Sequence, residues 1–211
     1  MRADGLIIAV DGPAASGKGT VGSALAKHYG LAYLDTGLLY RAVGVQTRDA
    51  GGLDQDRAEA AAADLDLSLL DDPRTRTRSA GEAASVVAAY PGVRAALLDF
   101  QRQFAARDGG AVLDGRDIGT VIAPHAPAKL FVTASPQVRA TRRWKQLLGQ
   151  GEQVSFEDVM ADIARRDARD SGRADAPLVQ APDADLLDTS EMTIEHAFAE
   201  ARRLVEQALG R

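Results

Sequence analysis

The stretch Gly12-Pro13-Ala14-Ala15-Ser16-Gly17-Lys18-Gly19-Thr20 constrains this chain more than any other. It follows the apolar run Leu6 to Val10, and helical periodicity sets in behind it from about Val21. Strand, glycine-rich G-x-x-x-x-G-K turn and helix together read as a phosphate-binding loop. Glycines let the backbone curl until successive N–H groups point at a polyphosphate, and the helix N-terminus adds favourable partial charge. Lys18 then reaches the β and γ phosphates. Gly19 stands where the strict motif carries a Ser or Thr hydroxyl, and Thr20 comes one residue later. No Asn-Lys-x-Asp guanine-reading string occurs in the chain, which removes the GTPase class.

Further short apolar runs occur at Ala32 to Leu34, Ala111 to Leu113, Lys129 to Thr133 and Asp185 to Leu187. Amphipathic segments near Val21 to His28, Leu38 to Ala50, Val93 to Ala106, Gln137 to Leu148, Phe156 to Asp170 and Ile194 to Leu209 lie among them. This alternation predicts an α/β fold: a doubly wound, five-stranded parallel sheet flanked by helices. Ser135 before Pro136, Ser155 and Thr193 are expected to cap the last three helices. The stretch from Asp54 to about Pro91 does not fit the alternation. It is Ala-rich, then broken by Asp71-Asp72-Pro73, then studded with Arg74, Arg76 and Arg78. It reads either as an inserted, mobile segment over the ligand-binding edge or as a plain surface helix and loop.

Composition narrows the chemistry. With 211 residues, 45% of them hydrophobic, the chain is expected to form one domain with a small insert. Its longest clear apolar run falls far below the roughly 20 residues that cross a bilayer, and Met1 to Gly5 leads straight into it, so a cytoplasmic protein is expected. The absence of cysteine excludes disulfides, thiolate metal sites and thiol nucleophiles. A net charge of -5 argues against a protein that coats nucleic acid. Lys18, Lys27, Lys129 and Lys145 are the only lysines. The positive charge is therefore nearly all arginine, which either reflects base composition or supplies planar forks for phosphate. His28, His125 and His196 have no metal-like spacing.

Three constellations remain, each with a bland alternative. Asp114-Gly115-Arg116-Asp117-Ile118-Gly119-Thr120 puts carboxylates at a strand's C-terminal end, where ligands of open α/β sheets gather, although an Asp-Gly turn is also a common loop device. Leu34-Asp35-Thr36-Gly37 with Tyr40-Arg41 offers either a second phosphate site or a helix cap with a solvated arginine. Arg166, Asp170 and Arg173 share one helical face, as a site or as a salt-bridged surface.

The Gly-Lys-Gly-Thr form of the loop resembles nucleoside monophosphate kinases. Together with the three constellations and Ala176-Pro177-Leu178, in order and approximate spacing, the whole chain resembles the bacterial cytidylate kinases. The resemblance implies transfer of the γ-phosphoryl of ATP to CMP or dCMP with Mg2+, Asp114 acting on the metal through water. It implies ATP binding by Gly12 to Thr20, and catalytic roles for Lys18, Asp114, Arg116 and Arg173. Thr36, Arg41 and Arg116 are implied as acceptor-phosphate contacts, Ser85, Arg94 and Asp117 as cytosine readers, and Arg166 and Asp170 as sugar contacts. Arg173 is implied to meet phosphate at the reaction centre. The core would comprise about residues 1–60 and 95–211, the nucleotide-binding insert about 61–94, with a short lid within 147–173. A monomer is implied too. In that family the insert is longer and carries antiparallel strands, whereas Ser68 to Arg74 looks contracted here.

Overall fold

The computed structural model describes residues 5–210; Met1 to Asp4, on which the expectation of no export leader partly rests, and Arg211 lie outside the described residues. Five strands, β1 Ile7–Asp11, β2 Ala32–Asp35, β3 Ala111–Gly115, β4 Ala128–Thr133 and β5 Asp185–Asp188, form one sheet in the order β2-β3-β1-β4-β5. Every pairing is parallel. The expected five-stranded α/β sheet is therefore present, with each strand within a residue or two of its apolar run.

The helices are α1 Lys18–Tyr29, α2 Thr36–Asp49, α3 Gln55–Ala63, α4 Arg78–Val87, α5 Pro91–Ala105, α6 Pro136–Gly149, α7 Phe156–Gly172 and α8 Ile194–Ala208. Strand residues of alternate parity point to opposite faces of the sheet. Ile8, Val10, Val112, Leu130 and Val132 pack with Val21 and Leu25 of α1 and Ala201 and Val205 of α8. Ala9, Ala111, Leu113 and Leu34 pack on the other side with Leu39 and Val43 of α2, Val87 of α4 and Leu97 of α5. A sheet covered on both faces needs strands apolar on both faces, which is why these strands read as continuous runs rather than alternations. β1 lies centrally, with β2 and β3 on one side and β4 and β5 on the other. The crevice at its C-terminal end is where ligands of such sheets bind.

Ser135, Ser155 and Thr193 accept from the backbone N–H groups of Val138, Asp158 and His196, so the three expected caps are in place. The stretch from residue 54 to 91 is helical, and α3 and α4 each bury a face. It forms α3, two 3-10 turns at Leu67–Asp71 and Pro73–Arg76, and α4, and it contains no strand. Asp54, Asp66, Asp72 and Thr77 cap these four pieces in turn. α4 buries Ala80, Ala83, Ala84 and Val87. It packs closely on α2, where a Cβ added to Gly44 would stand 2.7 Å from Ala83 Cβ. Small side chains on both helices are what allow the close approach.

No single helix among the described residues is long and apolar enough to cross a membrane; α4 and α5 pass only as a pair, bent by 101°.

Candidate active site

The phosphate-loop sequence leaves the end of β1 and enters α1 at Lys18. A Cβ on Gly12 would fall 2.0 Å from the Val132 carbonyl oxygen, so only glycine passes beneath β4. Ala15 and Gly17 lie at φ 60 and 93, the left-handed turns that curl the backbone into an anion-binding concavity. Ala15 holds this conformation at a steric cost a glycine would avoid, a form of strain that clusters at functional sites.

Lys18 Nζ stands 3.2 Å from Oδ1 of Asp114, which lies near the end of β3 and is 1% exposed. Burial lowers the Lys18 pKa and the Asp114 charge raises it again, with the balance downward. Asp114 Oδ2 accepts from the Tyr33 hydroxyl, while Oδ1 is buried without a hydrogen bond. Asp35 is in register with Asp114 on the neighbouring strand. Burial and then the Asp114 charge push its carboxyl upward. Two carboxylates thus flank the loop lysine.

Asp11, at the end of β1, accepts from the Ile118 and Gly119 N–H groups at 2.8 and 2.7 Å. It ties down the π-helical turn Ile118–Ile122 that follows Asp114, Arg116 and Asp117. Burial pushes its pKa up to about 6 in spite of those two amides.

A cleft of about 330 Å³ opens in front of the loop, and Lys18, Arg41, Arg116, Arg143 and Arg166 all line it. Burial, and after it the facing Arg143, brings the Arg41 pKa down to about 10; burial and then Arg116 do the same to Arg166. These cations are partly stripped of water and repel one another, so a polyanion in the cleft is favoured by all of them at once. Arg41 donates to the Thr75 and Thr77 carbonyls at 2.8 and 3.2 Å, which holds the insert to α2. Arg116 Nε donates to Asp170 Oδ2 at 2.7 Å. Burial raises the Asp170 pKa, but Arg116 and Arg166 outweigh it and hold the carboxyl below its ordinary value.

A smaller pocket of about 40 Å³ shares Gly37, Arg116 and Arg166 with the cleft and adds Thr36, Tyr40, Ser85, Arg94, Asp117, Asp170 and Arg173. Arg94 pairs with Asp117, and Arg173 Nη2 stands 3.7 Å from the other Asp117 oxygen. Arg94 also donates to the Tyr40 hydroxyl at 3.3 Å and to Asp175 at 3.2 Å. Ser85 Oγ accepts from Arg169 at 3.3 Å. Across the mouth, the insert and α7 are clasped. Arg78 pairs with Asp162, its N–H donates to Glu152 at 3.0 Å, and Arg169 meets Glu82 at 2.7 Å.

The fold therefore gathers Thr36, Arg41, Ser85, Arg94, Asp114, Arg116, Asp117, Arg166, Asp170 and Arg173 around two adjoining hollows. Thr36 is buried and donates to the Asp114 carbonyl at 2.8 Å. Thr20 is exposed on α1. Arg173 faces Asp117 in the small pocket rather than Lys18 in the cleft. Sequence reasoning passed over Asp11, Tyr33, Asp35, Arg143 and Arg169. Asp35 stood inside a quoted motif. Arg143 carried no signal, because its direction depends on how α6 packs against α7.

The donor set fits a magnesium ion held mainly by nucleotide phosphates and water. Asp114 Oδ1 is a buried oxygen without a hydrogen bond, Asp35 stands beside it, and no group of three or more candidate metal-ligating side chains occurs among the described residues.

Residues 8–207 match the family model described as cytidylate kinase. The chain is 70% identical over 209 residues to a protein of Caulobacter vibrioides named cytidylate kinase, covering 98% of each. A protein of the same name from Azorhizobium caulinodans is 63% identical over 206 residues, covering 97% of this chain and all of that one. Among solved structures, an uncharacterized protein from Eubacterium ventriosum aligns over 98% of this chain and 99% of its own with a TM-score of 0.57. At 15% identity that match speaks to the fold alone.

Proposed function

This chain belongs to the cytidylate kinase family, and from that premise we propose how its residues divide the work of the reaction. The enzyme transfers the γ-phosphoryl group of ATP to CMP or dCMP, giving ADP and CDP or dCDP. The observation that carries the division is the pair of adjoining hollows that share Arg116 and Arg166: one has the phosphate loop and a cluster of cations, the other the buried carboxylates Asp117 and Asp170.

We assign the ATP phosphates to the backbone of Gly12 to Thr20, with Lys18 at the β and γ groups. Asp114, with Asp35 beside it, would hold magnesium through water, and the ion would supply charge neutralisation between the β and γ phosphates. Arg41 and Arg116 meet the acceptor phosphate, with Thr36 at the same edge. Arg116 and Arg166 line both hollows and so stand where donor and acceptor must meet. Arg143 joins them from α6. Phosphoryl transfer of this kind needs positioning and charge more than covalent chemistry, and a cluster of preset cations supplies both. Asp117 accepts from the exocyclic amino group of cytosine, Ser85 and Arg94 border the same base, and Arg166 and Asp170 hold the sugar. Arg173 is assigned to the base and acceptor end, because it pairs with Asp117.

The clasp from Arg78, Glu82 and Ser85 to Glu152, Asp162 and Arg169 roofs the site between an insert of about residues 61–94 and a lid within 147–173. Closure there excludes water and so suppresses ATP hydrolysis. We further propose a monomer that works in the cytoplasm on free nucleotides and not on a nucleic acid polymer.

The test is ADP release from ATP and magnesium with CMP, dCMP, UMP, AMP and shikimate offered separately. Turnover with CMP and dCMP far above the others is expected. Activity confined to another acceptor would leave the ATP half standing and remove the base-reading assignments.

A further inference from the structure

We propose that Tyr33 supplies, from the edge strand β2, the hydroxyl that the strict phosphate-loop motif carries on the residue after its lysine, and that it is a positioning residue for Asp114. The loop has Gly19 at that place and so no hydroxyl of its own there. A Cβ on Gly19 would meet the Tyr33 hydroxyl oxygen at 3.5 Å and Asp114 Oδ2 at 3.3 Å. The space beside Gly19 thus belongs to the phenol. Further along α1, a Cβ on Gly22 would meet Tyr33 Cε2 at 3.2 Å, so a second glycine clears the flank along which the ring lies. The ring packs against the apolar cluster under α1, and strand register fixes its place, with Tyr33 opposite Val112 and Asp35 opposite Asp114.

The chemical consequence falls on Asp114. Its Oδ2 accepts from the phenol, whose oxygen also lies 3.3 Å from the Gly19 carbonyl oxygen. With one oxygen committed, the carboxylate keeps Oδ1 free of hydrogen bonds and 3.2 Å from Lys18 Nζ, on the side of the phosphate loop. Outer partners of this kind set the rotamer of a metal-organising carboxylate, and their loss weakens metal binding by about 10–100-fold.

The inference rests on ATP binding with magnesium at this loop, not on the identity of the acceptor. Calorimetric titration of the full chain with ATP, in magnesium and in EDTA with no acceptor present, gives the factor by which magnesium tightens ATP. Tyr33→Phe removes one oxygen and should shrink that factor about tenfold, with metal-free ATP binding close to the parent and only a modest fall in Tm from the lost bond to Asp114. Gly19→Ser combined with Tyr33→Phe returns a hydroxyl to the loop beside the same Oδ2, and should recover most of the loss. An unchanged magnesium factor in Tyr33→Phe, an equal loss of ATP binding with and without magnesium, or a double variant no better than the single would each overturn the assignment. A parent that turns over CMP but binds ATP without regard to magnesium overturns it too. Absence of turnover with every acceptor, beside a normal magnesium factor, is instead the failure of the acceptor reading alone, and the Tyr33 assignment then stands.

Discussion

Asp117→Asn separates reading the base from holding the pocket together. Asp117 and Arg94 are 5% and 7% exposed, and they form a pair that the substitution leaves in place while removing its negative charge. Removing one partner of a buried pair outright costs about 3–5 kcal/mol. Asparagine keeps one carbonyl acceptor, and Asp175 remains 3.2 Å from Arg94 Nε, so a loss of about 2 kcal/mol is expected. For a chain of this length that is a fall in Tm of about 4–8 °C. Specificity should move much further. Cytosine's amino group loses an anionic acceptor, which lowers kcat/KM for CMP by about 10–100-fold, whereas an amide can turn its NH2 toward the uracil carbonyl. The CMP to UMP ratio of kcat/KM should therefore collapse by about a hundredfold or more. The assay is steady-state ADP release with each acceptor at saturating ATP, with melting followed on the same preparations. A ratio within about threefold of the parent, beside the expected fall in Tm, would refute the base-reading role and leave Asp117 as a structural partner of Arg94.

Lys18→Ala should reduce CMP turnover by at least about a thousandfold and lower Tm as well, because it leaves the 1%-exposed Asp114 carboxylate without its cation partner; near-normal turnover would remove it from the reaction. Gly44→Ala forces a Cβ to within 2.7 Å of Ala83 Cβ and should destabilise the chain by about 1–3 kcal/mol in urea titrations, by driving α4 off α2. Asp11 tests the pH linkage. Its folded pKa of about 6 lies above its ordinary value of 3.8, so the folded state binds the extra proton between them. Its contribution therefore falls as pH rises through that window, by up to about 3 kcal/mol, and is constant above it. Asp11→Asn should accordingly gain stability relative to the parent as pH goes from 4 to about 6, measured as the difference of two urea-unfolding curves at each pH; a difference independent of pH would contradict the burial of a titrating carboxyl.

Local sequence determined much of this protein. A buried parallel strand needs an apolar run, so Leu6 to Val10 and its four counterparts announced the sheet. The phosphate loop is equally local, since its function lies in the main chain of nine consecutive residues and the helix they open. Caps such as Ser135, Ser155 and Thr193 depend on contacts three residues apart and were legible for the same reason. The short α3 was hidden by an alanine face of little hydrophobic contrast, but α4 is amphipathic, and it was passed over because the Asp71-Asp72-Pro73 break and the arginines before it read as loop, although Asp54, Asp66, Asp72 and Thr77 stood at the starts of these pieces as readable caps.

Tertiary structure decided how the site's charges are paired and where they point. Nothing near Arg173 in the chain says that its guanidinium turns to Asp117, nor does the neighbourhood of Asp11 disclose that it holds the amides of Ile118 and Gly119. Tyr33 and Asp114 meet only because β2 pairs with β3, and Arg143 enters the cleft only through the packing of α6 on α7. Backbone conformation answers to neighbours a few residues away, whereas the direction and protonation of a buried charged side chain answer to whatever the fold brings within a few ångströms. Strands, loop and caps could therefore be read in one dimension, and the electrostatics of the site only in three.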